Sequence, residues 1–590
     1  MSNSRRTAAA MGVAPDRAIT TEPGRNTAPA TLSERGSSPT PREPSARTGQ
    51  HVGHHEVFPP TVGATNSRHA AARREPPDRR RVRRAHPVTV SISGPEWSTA
   101  SMTPEERGQY PLGVEGAIAF HARNLVPFTT TVTAHPRYYA LHAAAALRED
   151  PSSDTAGELT RRLEVLLAAA SMLHARGDMP GHDPAAALSE PHGFRAVGSA
   201  LGRADLDLSE LARTYGGNRS YGYSGAYFGV EQAFGLSGGA KARMPLDAGD
   251  LASFEPLVAL AAHDTVPLAE LNHPALCLCA TRTSSDGEAL RTAFFDADDP
   301  AAPDDIRAAR LAGQNSAALC VTALRGKSTA MPVTVALADL CVYGDVAAKL
   351  PDPELTAAAA ARWRGALLRN ESVTAWRWLW AWVTQTLNTT PGTEKELSEA
   401  LAATLLAAAG GDLTYTQAVL APIPEGRDAA GFLRPAEQKL RATTGLTYGS
   451  EPLLWLRMLA LGSRRLDELD DSAREHFIVG ADSWNPLDTR EYLLSLQELR
   501  LSKIAGDLAP RLVRRAQQIA RRRQQWTRDG LRMPTKLRPV GDILYVSGPD
   551  GTGEAALRQF RLQQMLSAFG ILDVSDGAWT DGPHVTAVLR

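Results

Sequence analysis

The sequence predicts a mainly α, multidomain helical protein with a minor β-hairpin near 275–295 and a small, winged-helix-like α+β part at the carboxy end. Three observations predict this. Apolar residues recur at i, i+3 and i+4 through most of the span from 110 to 530. Hydrophobic residues make up 43% and charged residues 22%, as in soluble globular chains. At 590 residues the chain has room for roughly three to four domains. Composition breaks place them at 1–90, 91–350, 351–505 and 506–590.

Residues 1–90 are rich in Pro, Ser, Thr, Arg and Gly and lack apolar periodicity, which predicts disorder. Their basic cluster Arg79–Arg84 leaves three readings open: a nucleic-acid arm, a solvated tail, or a misplaced start codon with the true start at Met102. Helices are then predicted at Leu112–Leu125, Pro136–Arg148 and Ala156–Arg176, the last with Thr155 and Glu158 at capping-box spacing. The Tyr/Gly stretch 215–239 reads as a loop. A hairpin is predicted from Ala275–Thr281 and Ala289–Phe295 around Asp286-Gly287. Cys277 and Cys279 would share one face of its first strand, as core residues. Helices follow at 303–313, 315–325, 332–343, 354–369 and 371–388. The last carries Trp376, Trp378, Trp380 and Trp382 on all sides, which predicts a central element rather than a base-stacking platform. Further helices are predicted at 394–409, 434–443, 452–462 and 487–503. At the carboxy end a strand (540–547), a helix (554–569) and two more strands (571–574 and 585–589) complete the prediction.

The arginine pattern carries most functional information. Residues 511–528 hold seven arginines and no acid, with Asp507 and Pro510 before them as start signals and Gly530 after them as a stop. At about 100° per residue, Leu512, Val513, Ala516, Ile519, Ala520 and Trp526 fall on one side. Arg511, Arg514, Arg515, Arg521, Arg522 and Arg528 fall on the other, with Arg523 astray. A planar guanidinium donates two parallel hydrogen bonds to a phosphate, so this stripe is a candidate nucleic-acid surface. The competing reading is internal pairing, with Asp467, Glu468, Asp470 and Asp471 as candidate partners. Overall the formal net charge is −1, but 1–90 carries about +8 and the remainder about −9.

Other motifs exclude more than they support. Gly326-Lys327-Ser328 has Val321 where a phosphate-binding loop needs glycine. Gly551-Thr552-Gly553-Glu554-Ala555-Ala556 fits a dinucleotide fingerprint, yet only 34 residues follow it, too few for that domain. No His-Glu-x-x-His, nucleophile elbow, kinase catalytic loop or Cys-x-x-Cys occurs. His263-Asp264 resembles the metal-sharing pair of HD phosphohydrolases, with His182-Asp183, His192 and Asp339 as nominal companions. His135, Arg137, Tyr138, Tyr139 and His142 form a polar–aromatic group in which His135 and His142 share a helix face. With Arg123 and the 221–227 loop they make the candidate pocket of an enzyme. No metal or other cofactor is expected.

Four cysteines predict a reducing compartment without a disulfide framework. No apolar stretch reaches 18 residues without charge, and no secretory h-region is visible, so a cytoplasmic location without membrane contact is expected. Residues 113–141 (GVEGAIAFHARNLVPFTTTVTAHPRYYAL), with Tyr223-Ser224-Gly225 and Tyr227-Phe228-Gly229, resemble the opening of a bacterial family of unknown function. The resemblance spans about 110–240 and departs from the family at Phe128. Some members occur in phage-defence gene clusters, which implies other proteins of a multi-gene system as partners. The expectation is a non-enzymatic subunit that contacts nucleic acid; the alternative is an enzyme with a His/Arg/Tyr pocket in 110–265.

Overall fold

A computed structural model describes residues 111–589, apart from the internal stretches 134, 149–156, 177–190, 216–222, 237–241, 350–352, 443–450, 481–483, 528–529, 533–534 and 551–554. The arginine-rich segment 1–90, Met102, His182-Asp183, Arg528 and the first four residues of the Gly551–Ala556 fingerprint therefore lie outside the described residues.

Helices dominate, joined by four two-stranded antiparallel sheets. Where a local signal marks a helix start, the helix begins within a residue of the predicted position in two cases. Glu394–Ala409 opens on a reciprocal capping box: Thr393 Oγ1 accepts the Glu396 N–H at 3.2 Å, and Glu396 accepts the Thr393 N–H at 2.7 Å. It closes on Gly410 at φ 75°, the left-handed conformation that glycine adopts without steric cost. Pro486–Ser495 opens on Asn485, whose side chain caps two backbone N–H groups. The predicted helix 487–503 is corrected at its other end: it stops at Ser495, and a separate helix starts at Leu501.

Two predicted breaks do not occur. The segments 303–313 and 315–325 form one helix, Asp304–Leu324, and 354–369 with 371–388 form another, Pro353–Thr389. The second has 37 residues and runs for about 55 Å at 1.5 Å per residue. Packing on several sides overrides the local signals, because Arg369 and Asn370 at the expected break are themselves buried. Trp376, Trp380 and Trp382 are buried in this helix, and Trp378 stacks on Trp455 with ring centroids 4.9 Å apart. The tryptophans therefore belong to the core.

Gly365 sets how closely this helix meets its neighbour Asp471–Ile478. A Cβ at that position would lie 2.5 Å from the Ala473 carbonyl oxygen and 2.6 Å from His476 Cβ. Gly365→Ala is expected to cost about 1–3 kcal/mol by forcing the helices apart. The control is Gly506→Ala, also helical, where a Cβ meets nothing within 4 Å; there the helix-propensity gain of about 0.5–1 kcal/mol should appear. Urea unfolding midpoints should thus move in opposite directions.

The predicted hairpin at 275–295 is corrected. Leu278–Arg282 is a 3₁₀ turn and Ser285–Phe295 an α-helix. Ser284 caps that helix through the Gly287 N–H at 3.3 Å, so Asp286-Gly287 forms a first helical turn rather than a hairpin turn. Glycine is required there by contact: a Cβ at Gly287 would fall 1.8 Å from the Thr281 carbonyl oxygen.

The carboxy-terminal part keeps its α+β character with different strand partners. Leu537–Val540 pairs with Ile543–Val546, and Leu572–Ser575 pairs with Ala578–Asp581. The helix Gln559–Ala568 lies between the hairpins in sequence. Asp576 (φ 52°) and Gly577 (φ 73°) make the second turn, both on the positive-φ side that a tight two-residue hairpin turn demands. Val585–Ala587, predicted as strand, is a 3₁₀ turn. The Gly326 N–H donates to the Trp579 carbonyl and the Lys327 carbonyl accepts the Trp579 N–H, while the Lys327 N–H bonds the Leu324 carbonyl, so both amide N–H groups are used within the protein. Arg558 donates to the carbonyls of Val126 and Thr129, and Arg282 to that of Ser567, which ties this part to residues far earlier in the chain.

Candidate nucleic-acid interface and a buried histidine network

The arginine helix spans Leu501–Arg522, with Pro510 inside it. The predicted start at Pro510 is thus corrected: the helix continues through it because its apolar face is held along its length. That face buries Leu501, Ile504, Leu508, Leu512, Val513, Ala516 and Ile519, and Glu394–Ala409 packs along it. The predicted end is corrected too. Trp526 belongs to a strand, Gln525–Thr527, paired with Gly530–Arg532.

The stripe divides into two halves. Arg511 lies with its guanidinium carbon 4.0 Å from the Tyr492 ring centroid. Arg515 is only 3% exposed, donates from Nε to the Leu112 carbonyl at 2.8 Å and packs over Trp484. These two arginines are part of the packing, which corrects their assignment to the nucleic-acid surface. Arg514, Arg521 and Arg522 are exposed. Among the described residues no ion pair involves these three. The suggested internal partners are engaged elsewhere: Asp467 with Arg490, Glu468 with Arg464 and Arg465, and Asp470 with Arg364. Arg523 is exposed in the turn that follows the helix.

The Arg137–Ala146 helix carrying the polar–aromatic group starts after His135, so His135 and His142 do not share a helix face as predicted; the group is nonetheless inside the protein. His135, Arg137, Tyr138, Tyr139 and His142 are each at most 3% exposed. His142 stands between two carboxylates, with Nδ1 2.6 Å from Glu231 and Nε2 2.9 Å from Glu164. Burial opposes its charge, but the Glu231 and Glu164 carboxylates outweigh it and push His142 up to about 9. At neutral pH it is an imidazolium that donates from both ring nitrogens. His192 shows the opposite balance. Burial, followed by the neighbouring His135 and His142, holds it down to about 3, and its Nε2 shares a 2.6 Å hydrogen bond with the Tyr227 hydroxyl. Arg137 grips buried Asp286 through Nε and Nη2 at 3.1 and 3.3 Å. The same guanidinium donates to the carbonyls of Ala275 and Cys277.

This arrangement brings Tyr227 to the group, as the sequence suggested, and adds Glu164, Glu231 and His192. It leaves Arg123 out, since that residue is exposed on a separate cleft. Satisfied in this way, the charges rigidify a core.

His263 and Asp264 are both exposed, and the contact of His263 with Arg162 is through its backbone carbonyl, at 3.0 Å. Asp264 accepts from Ser209 at 2.5 Å and Arg162 at 3.0 Å, and those bonds hold its carboxyl below the usual range. His192 lies in the buried network and Asp339 on the Val333–Cys341 helix. The HD-type metal pair is therefore not assembled from these residues.

One feature was missed in the sequence. A cleft of about 440 Å³ is lined by Phe120, His121, Arg123, Arg362 and His476, with Asp305 at its edge. Phe120 is 50% exposed there, while buried His121 is pushed down to about 4, first by desolvation. No local signal marks it, because its walls come from four separate helices.

Comparison of the chain with protein-family models, with curated proteins and with solved structures gives no match. Among the described residues no helix is long and apolar enough to cross a membrane.

Proposed function

We propose that this chain is a binding subunit rather than an enzyme, and that the exposed half of its arginine helix contacts nucleic acid. The supporting observation is the solvent-facing set Arg514, Arg521 and Arg522 on one rigid, well-packed element. Arg514 and Arg521 are seven residues apart, about two turns and 10 Å, and so share one side. Arg521 and Arg522 also lie in the last turn, where the helix dipole favours cations by about 0.3–1 kcal/mol. That stabilising role is compatible with phosphate contact and is separated from it by experiment. The bacterial assembly and its phage-defence setting rest on the resemblance over 110–240, and its cytoplasmic location on the four free, buried cysteines. The enzyme alternative has less support, since the groups assigned to its pocket bond one another inside the core.

Three phosphates rather than six are then neutralised. Log affinity for an oligonucleotide should fall with log salt at a slope of about −2 to −3. Fluorescence anisotropy with labelled DNA and RNA across a salt series measures it. A slope near zero, or no binding at low salt, overturns the proposal.

A further inference from the structure

Three soft ligand side chains from distant parts of the sequence meet in the core. His174 lies in the last turn of the Glu158–Arg176 helix, while Cys277 and Cys279 flank the start of the Leu278–Arg282 turn. One ligand atom from each lies within 4.8 Å of the others, and Cys279 Sγ is 3.3 Å from His174 Nδ1. The edges of a zinc coordination shell are about 3.5–3.8 Å for bonds of about 2.3 Å to sulfur and 2.0 Å to nitrogen. The Cys279–His174 pair is close to such an edge, and the set closes on an ion with small side-chain movements. The two thiols are 2% and 7% exposed, and His174 is fully buried.

We infer that His174 Nδ1, Cys277 Sγ and Cys279 Sγ bind a thiophilic d¹⁰ metal ion, with Zn(II) as the occupant. Two neighbouring features support this beyond the proximity. The Cys279 N–H points to Cys277 Sγ at 3.4 Å, an N–H···S bond of the kind that stabilises a metal-bound thiolate. The loop is also fixed from outside the ligand set. Ser171, one turn before His174, accepts the Leu278 N–H at 3.0 Å, and Arg137 clamps the carbonyls of Ala275 and Cys277. Charge selects the ion. As Zn(II) enters, each thiol releases its proton to solvent and two Zn–S bonds form, so the complex with neutral histidine carries no net charge. Cu(I) with the same ligands would leave one buried negative charge without an added partner. Thiolate and imidazole donors also exclude Mg(II) and Ca(II).

The site is tested on the full chain, purified under reducing conditions without added metal. Stoichiometric zinc by elemental analysis is expected. After chelation, Cd(II) should produce a sulfur-to-metal charge-transfer band saturating at one equivalent. Cys279→Ser should abolish the band. Ser171→Ala keeps every ligand and should weaken binding about 10–100-fold, as loss of an outer partner does. Zinc added back to the chelated wild type should raise its melting temperature, a readout that needs no variant. Copper in place of zinc overturns the charge argument. No co-purified metal together with no Cd(II) band in the wild type overturns the site.

Discussion

His142→Leu is expected to destabilise the protein by about 3–5 kcal/mol, the cost of removing the cation from a buried charge cluster. The substitution removes the imidazolium that bonds both Glu164 and Glu231, and leaves those carboxylates in the core. Its pH dependence identifies the cause. The folded state raises His142 from 6.5 to about 9, which corresponds to about 3 kcal/mol. A raised value means the stabilisation is fully present below pH 6.5 and is lost as pH rises through about 9. Denaturant midpoints of wild type and variant should therefore differ most near pH 6 and converge by pH 10. A constant difference across that range would mean His142 is not the charged member. The mutation should leave the salt slope of any remaining folded protein unchanged, because it touches packing and not the arginine surface.

Arg465→Met should cost a similar amount, about 3–5 kcal/mol, by a second buried charge network. Arg465 is fully buried and meets Glu437 through two bonds of 2.8 and 2.7 Å. It also reaches Glu468 at 2.7 Å and the carbonyls of Gly426 and Arg434. This one side chain joins the Pro452–Glu468 helix to the Ala436–Ala442 helix and to the loop around Gly426. Lysine cannot replace it, because an ammonium lacks the planar fork that serves five acceptors at once. Arg465→Lys should recover only a minor part of the loss. Converting Glu437 to Met in the Arg465→Met background should recover more, since it removes a buried carboxylate that has lost its arginine and keeps the Tyr343 hydroxyl bond. Calorimetry on the three variants decides the order.

Much of the fold was legible because its signals are local. Thr393 and Glu396 are three residues apart, so their reciprocal cap can be read directly, and 394–409 was predicted to the residue. Elements that depend on remote packing were not. Asn370 looks like a break until its surroundings show it buried mid-helix. Alternation in 275–281 imitates a strand, although Ser284 and the close approach of Gly287 to Thr281 impose a turn and a helix. The same limit applies to the sites. A helical wheel places Arg515 beside Arg514, but the carbonyl that captures Arg515 belongs to Leu112, 403 positions earlier. Glu231 is 89 positions from His142, and Cys279 is 105 from His174. No spacing rule reaches across such distances.

The division of the arginine stripe is tested by comparing two variants at about 50 mM salt. The triple change Arg514→Gln, Arg521→Gln and Arg522→Gln should weaken oligonucleotide binding about tenfold or more while leaving the unfolding midpoint nearly unchanged. Arg515→Gln should do the reverse, lowering the midpoint and sparing the affinity of the folded protein. Wild-type affinity in the triple variant would contradict the account, because the three exposed arginines of the stripe among the described residues would then have no part in binding.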